Sequence, residues 1–164
     1  MADRFPMTPR GIRNLKNELK RLREIERPKN VQDIEEARAH GDLRENAEFH
    51  AAKERQSFIE GRSRDIESIL AQSEMIDPAK LSGTRVVFGA TVSLEDTDSG
   101  DKVTYSIVGD HEADIKLNRL AISAPITRAL IGRETGETVT LRNSKGTREY
   151  QIADVRFDRQ EEQE

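Results

Sequence analysis

The chain has 164 residues, 34% hydrophobic and 35% charged, too polar for an ordinary single globule, in which about half the residues are apolar and about a quarter charged. It has no cysteine, which excludes disulfides and thiolate metal sites and points to a reducing, cytoplasmic setting; the start Met1-Ala2-Asp3-Arg4-Phe5-Pro6 has no apolar signal core, and no run approaches a membrane span. A formal net charge of −4 excludes a general nucleic-acid coat, so any such contact needs a local basic patch.

The first expected element is a long helix opening at Thr8-Pro9, with Thr8 as N-cap and Pro9 at the first helical position. Ile12, Leu15, Leu19 and Leu22 follow at alternating three- and four-residue steps, an a/d seam. Pro28 interrupts the pattern and predicts a kink or a shift of register. Val31, Ile34 and Ala37 resume an apolar stripe. From Pro9 to His40 such a helix would extend roughly 48 Å.

Gly41 breaks the pattern, and a second helix is expected from about Leu43 to Met75, with Ala52, Ile59, Ile66 and Ser73 seven apart. Near the turn its seam is small, with Ala47, Ala51 and Ala52, so two helices can approach closely. The pattern predicts an antiparallel coiled-coil hairpin over residues 1–77. Residues 78–84, Pro78 to Thr84, read as a linker.

Beyond residue 84 the period becomes strand-like. Arg85–Phe88, Thr91–Glu95 and Lys102–Val108 are expected strands, the last two joined by the turn Asp96–Asp101. Ser123-Ala124-Pro125 opens a short helix over Ile126–Ile131, closed by Gly132. Thr138–Arg142 and Glu149–Val155 flank a hairpin turn at Asn143–Gly146. This is a small sheet with one helix, an α+β domain over residues 85–157, followed by a charged and frayed tail at 158–164.

The most informative stretch is Gly41-Asp42-Leu43-Arg44-Glu45-Asn46-Ala47-Glu48, at the break between the helices. Asp42 and Glu45 are one helical turn apart, and carboxylates are the ligands that a hard cation such as Mg²⁺ prefers. The plainer reading is that Asp42 caps the second helix and Glu45 closes a capping box. A cap accounts for the residue types but not for the rod behind them. Arg38, Lys53 and Arg55 near the turn could meet a few phosphates of a single strand, and Phe49 could stack on a base or pack on the facing helix. Arg62 and Arg64 read as solvated surface. His40 and His50 match no compact zinc spacing. Pro125 fits the first turn of a helix, or with Ile126 forms an apolar docking surface; sequence alone leaves both open.

Gly41 to Glu54 resembles the tip signature of the GreA/GreB family of bacterial transcript-cleavage factors, and Thr8-Pro9-Arg10-Gly11 resembles the family's start. Val87–Val92, Tyr105–Gly109 and Ala124–Gly132 resemble its C-terminal domain, so the likeness runs in unbroken order from about Met7 to Phe157. Leu43, His50-Ala51-Ala52 and Glu112-Ala113-Asp114-Ile115 favour the GreA branch.

The resemblance implies a coiled-coil hairpin followed by a small domain of FKBP-like fold, in a protein that is not itself an enzyme. The small domain would dock on the β′ coiled coil at the rim of the secondary channel of RNA polymerase, and the hairpin would enter the channel. Asp42 and Glu45 would assist Mg²⁺ at the polymerase active site, with Asn46 in support. Arg38, Lys53 and Arg55 would guide the nascent RNA 3′ end, and Pro125 and Ile126 would dock. The protein would act as a cytoplasmic monomer, with no membrane contact and no stably bound metal of its own. Phe49 stands where the family often has Tyr, so a tip hydroxyl is absent while stacking remains possible. Two rival readings are a non-cleaving blocker of the channel and a prolyl isomerase; the first is disfavoured by the intact acid pair, the second by the lack of Trp and the scarcity of Tyr.

Overall fold

The computed structural model describes residues 4–41, 46–143 and 146–160. Packing divides the chain into two units, Met1–Ile12 with Ser73–Glu164, and Arg13–Gln72. This differs from the expected division at residue 77. The reason is a short parallel pair: β1 (Phe5–Met7) aligns with β2 (Ser73–Met75), Phe5 opposite Ser73 and Met7 opposite Met75. Ile76 N–H extends the pairing by donating to Met7 C=O at 2.9 Å. The second helix, expected to reach Met75, therefore ends at Gln72, and Phe5 and Pro6 pair with Ser73 and Glu74.

The hairpin unit is built from α1 (Pro9–Arg21), a π-helical turn (Leu22–Glu26), α2 (Arg27–Arg38) and α3 (Ala47–Gln72). The π turn is the shift of register that Pro28 demands. Proline has no N–H to donate and its ring crowds the carbonyl four residues back. A wider turn, in which Arg27 N–H reaches Leu22 C=O, makes room by inserting one residue. The buried positions record the insertion: Leu15 and Leu22 are seven apart, but the next is Asn30, eight further on, followed by Ile34 and Ala37. Val31, expected in the stripe, is 46% exposed because the stripe has slipped by one residue.

Across the seam α3 buries Ala52, Ile59, Ser63 and Ile66, so its heptad runs uninterrupted. Asn30 is the polar member of the first helix's seam, and its Nδ2 donates to Ala52 C=O at 2.9 Å. A buried amide with one good partner fixes which residues face each other. Charged pairs line the seam: Arg62 grips Glu18 with two bonds of 2.7 and 2.8 Å, Arg27 reaches Glu60 at 2.9 Å, and Arg23 pairs with Glu67. Arg62, read from sequence as solvated surface, is thus a helix-to-helix tie.

Arg62 holds the Glu18 carboxyl below its ordinary value of 4.5, chiefly through that hydrogen bond. A depressed carboxyl contributes stability above the ordinary value and loses it as pH falls through the folded one. Helix content followed in urea from about pH 6 to about pH 3 should show hairpin stability falling at the acid end. Glu18→Gln should remove part of that fall, on the order of 0.5–1 kcal/mol for a partly exposed pair.

The other unit holds a five-stranded sheet, in the order β5-β4-β3-β7-β6. Its strands are β3 (Thr91–Asp96), β4 (Lys102–Val108), β5 (Arg119–Ala121), β6 (Thr138–Asn143) and β7 (Gly146–Arg156). All neighbours are antiparallel except β4 and β5. With α4 (Pro125–Leu130) this is the α+β arrangement expected. Val92, Leu94, Ile107, Ile152 and Leu130 form the centre of its core. Arg85–Phe88, expected as a strand, makes only a single bridge, Arg85 with Glu134, yet Val86 is fully buried. The apolar run was a core signal and not a ladder. The expected linker begins with a 3₁₀ turn, Pro78–Lys80, in which Pro78 is buried. The tail is tied down at Gln160, whose Oε1 accepts from Arg10 N–H at 2.8 Å.

Candidate functional site

The end of the hairpin is shaped by Asn46. Its backbone C=O accepts from His50 N–H at 3.1 Å and its Oδ1 accepts from Phe49 N–H at 3.1 Å, which makes Asn46 the N-cap of α3. Its Nδ2 donates to Ala37 C=O at 2.7 Å, so the same side chain satisfies a carbonyl near the end of α2. The cap that sequence placed at Asp42 is therefore supplied four residues later. Asp42 and Glu45 lie outside the described residues.

Near this end a groove of about 520 Å³ is lined by Asn30, Asp33, Glu36, Ala37, His40, Glu48, Ala51, Ala52 and Arg55. Of the three expected RNA-guiding cations it includes Arg55 but neither Arg38 nor Lys53. Arg55 is already engaged: it pairs with Glu26 and lies 5.1 Å from the centre of the Phe58 ring. That hydrogen bond lowers the Glu26 carboxyl below its ordinary range. Lys53 donates to Gln56 Oε1 at 3.0 Å on its own helix, and Arg38 is exposed in the last turn of α2. Phe49 is half-buried, with its ring 5.8 Å from that of His50. Among the described residues no three His, Asp or Glu side chains converge into a metal site.

In the sheet unit, Pro125 is exposed at the start of α4, while Ile126 packs against the core. The segment before it is held by Asp110, whose Oδ1 accepts from Ser123 N–H at 3.1 Å and Ser123 Oγ at 2.9 Å. Thr127, fully buried, donates through Oγ1 to Ala121 C=O at 2.6 Å. A polar groove of about 200 Å³ elsewhere in this unit is lined by Thr8, Arg10, Thr91, Ser106 and Asp158 among others and has no aromatic ring.

Sequence reasoning missed Glu112. It accepts from Thr8 N–H at 2.8 Å and from Gly109 N–H at 2.9 Å, and it also accepts from the Thr8 hydroxyl. Thr8 and Glu112 were both conspicuous in the sequence, but 104 residues separate them and nothing local pairs them.

The described residues form a helical hairpin unit and a small mixed-sheet unit. Residues 5–75 match the N-terminal model of the GreA/GreB transcription elongation factors, and residues 81–157 match the C-terminal one. The chain belongs to the GreA/GreB family of transcription elongation factors. It is 58% identical to the transcription elongation factor GreA of Anaeromyxobacter sp. (strain K), covering 94% of this chain and 93% of that one. It is 53% identical to that of Alkalilimnicola ehrlichii, covering 94% and 98%. A solved structure, GreA factor homolog 1 (Gfh1) of Thermus thermophilus, is 26% identical over 93% of this chain and 98% of its own, with a TM-score of 0.42.

Proposed function

We propose that this chain binds bacterial RNA polymerase, passes its hairpin through the secondary channel, and stimulates the polymerase's own cleavage of backtracked nascent RNA. The observation that carries the reading is the cap at Asn46. One residue holds the start of α3, and in the sequence Asp42 and Glu45 fall between the end of α2 at Arg38 and that cap. Their carboxylate charge is then not needed to begin the helix.

A bound Mg²⁺ would supply stabilisation of the attacking and leaving oxygens of a phosphodiester. Asp42 and Glu45 fit such an ion by donor chemistry, and two carboxylates fill only part of the six-oxygen shell it takes. The rest would come from the polymerase. Asn46 holds the two helices at their junction, which favours a support role for it over contact with RNA. Arg38 and Lys53 have more freedom than Arg55 to meet phosphate. Pro125 would present the docking surface, with Ile126 supporting it from the core. The proposed setting is the cytoplasm, where the polymerase would be met.

The test is a halted, backtracked polymerase complex carrying 3′-labelled RNA. Adding this protein should release short 3′ fragments, at least about tenfold faster than polymerase alone, with a dependence on Mg²⁺. Unchanged release, or inhibition, would favour the channel-blocking reading.

A further inference from the structure

The π turn has a chemical consequence further along α2. Had the heptad continued from Leu22, Lys29 would occupy the next place in the seam; the inserted residue puts Asn30 there instead. Asn30 is 4% exposed. Its Nδ2 is spent on Ala52 C=O, which leaves Oδ1 as the remaining polar atom of the side chain. Among the described residues no donor reaches that oxygen, and it is not sealed from solvent. Asn30 lines the groove of about 520 Å³ within the hairpin unit, so the acceptor is open to a donor that enters there.

The rest of the polar lining is mostly acceptors too. Asp33 and Glu36 come from α2 and Glu48 from the first turn of α3, and all three carboxylates are exposed. Among the described residues neither Asp33 nor Glu48 has an ion-pair partner, and Glu36 takes a 3.3 Å bond from Gln32 Nε2. Arg55 brings a cation to the lining, but it is paired with Glu26 and lies over the Phe58 ring. His40 can donate or accept. The apolar part is Ala37, Ala51 and Ala52, short side chains that leave room for an aliphatic stem.

Acceptors and small apolar surface call for a cation that carries several N–H groups on an apolar stem. Arginine has that form, a planar fork of donors at the end of a methylene chain. A bare divalent ion fits less well, because no three His, Asp or Glu side chains among the described residues converge on a point. We propose that this groove docks an arginine side chain from a basic segment of a partner protein. The guanidinium would lie among Asn30 Oδ1 and the carboxylates of Asp33, Glu36 and Glu48, with the stem against the alanines. The proposal stands apart from the cleavage reading, since its test uses the free protein without polymerase.

The experiment titrates a blocked glycine–arginine peptide into the ¹⁵N-labelled full chain and follows amide resonances. Saturable shifts are expected at the Asn30 side-chain amide and at Ala37, Ala51 and Ala52. The same peptide with citrulline for arginine, which keeps the shape and removes the charge, should leave them in place. Asp33→Asn with Glu36→Gln and Glu48→Gln should weaken the peptide by at least about tenfold, while Glu24→Gln with Glu35→Gln and Glu54→Gln, an equal loss of exposed charge elsewhere on the hairpin, should change it by less than about twofold. Asn30→Leu should weaken it by about threefold or more, with helix content checked by circular dichroism. Equal effects of the two triple variants, shifts spread over the whole surface, or no shift up to about 10 mM peptide overturn the proposal. Spermidine or Mg²⁺ producing the same shifts at lower concentration than the peptide would also overturn it, in favour of a small cation.

Discussion

Replacing Asp42 and Glu45 together by alanine is expected to lower stimulated cleavage at saturating protein by at least about 100-fold, the scale on which removing preorganised stabilising groups acts. Affinity for polymerase should change by less than about threefold, because the docking residues proposed here lie in the sheet unit. The asymmetry follows from where each group works. Carboxylates that help neutralise a metal and orient water contribute in the transition state of cleavage and little to association. Asp42→Asn with Glu45→Gln separates charge from shape: the amides keep size and hydrogen bonding but are poor ligands for a hard cation. That pair should be nearly as inactive as the alanine pair, and added Mg²⁺ should recover part of the rate. Because Asn46 caps α3, helix content should be the same in all three proteins by circular dichroism. Full activity in the alanine pair would remove the tip from the mechanism.

The alternation of apolar residues made the two-helix arm legible, and β-rich segments between turns made the sheet unit legible. The exceptions have physical causes. Sequence showed that Pro28 must disturb the helix, but not whether by bending or by insertion. The structure resolves this with the π turn, and the eight-residue step from Leu22 to Asn30 is its trace in the chain. Asn30 was overlooked because a polar residue beside Val31 reads as the wrong side of the stripe. Strands β1 and β2 were illegible for a different reason: three residues carry too little pattern, and their pairing spans the whole hairpin. The short β5 was missed likewise, since its parallel partner β4 lies across two 3₁₀ turns.

For the site, residue types were legible and partnerships were not. Arg55 looked like a free cation near the tip, but Glu26 and Phe58 occupy it. Pro125 and Ile126 looked equivalent, but burial separates them, leaving Pro125 outside and Ile126 against the core. A close likeness over nearly the whole chain shows the family. It does not show which neighbours hold each side chain, and those neighbours decide what a substitution does.

The arm's stiffness should depend most on a few apolar residues, and Ile59→Ala is expected to destabilise the hairpin by about 2–4 kcal/mol. Ile59 is 1% exposed in the middle of the α3 seam. Two helices have one shared face, so no third layer can relax into the gap left by the lost carbons. Its neighbour Phe58 is larger but 54% exposed. Phe58→Ala should therefore cost under about 1 kcal/mol, mostly from the lost contact with Arg55. Urea unfolding followed by helix signal, with the sheet unit monitored separately through its tyrosines, would compare the two. The comparison also tests function: an arm that frays should lose stimulation at temperatures where the parent remains active, and Ile59→Val should lie between parent and Ile59→Ala. If Phe58→Ala proved the more damaging, the apolar face of α3 would be doing its work against a partner and not against the facing helix.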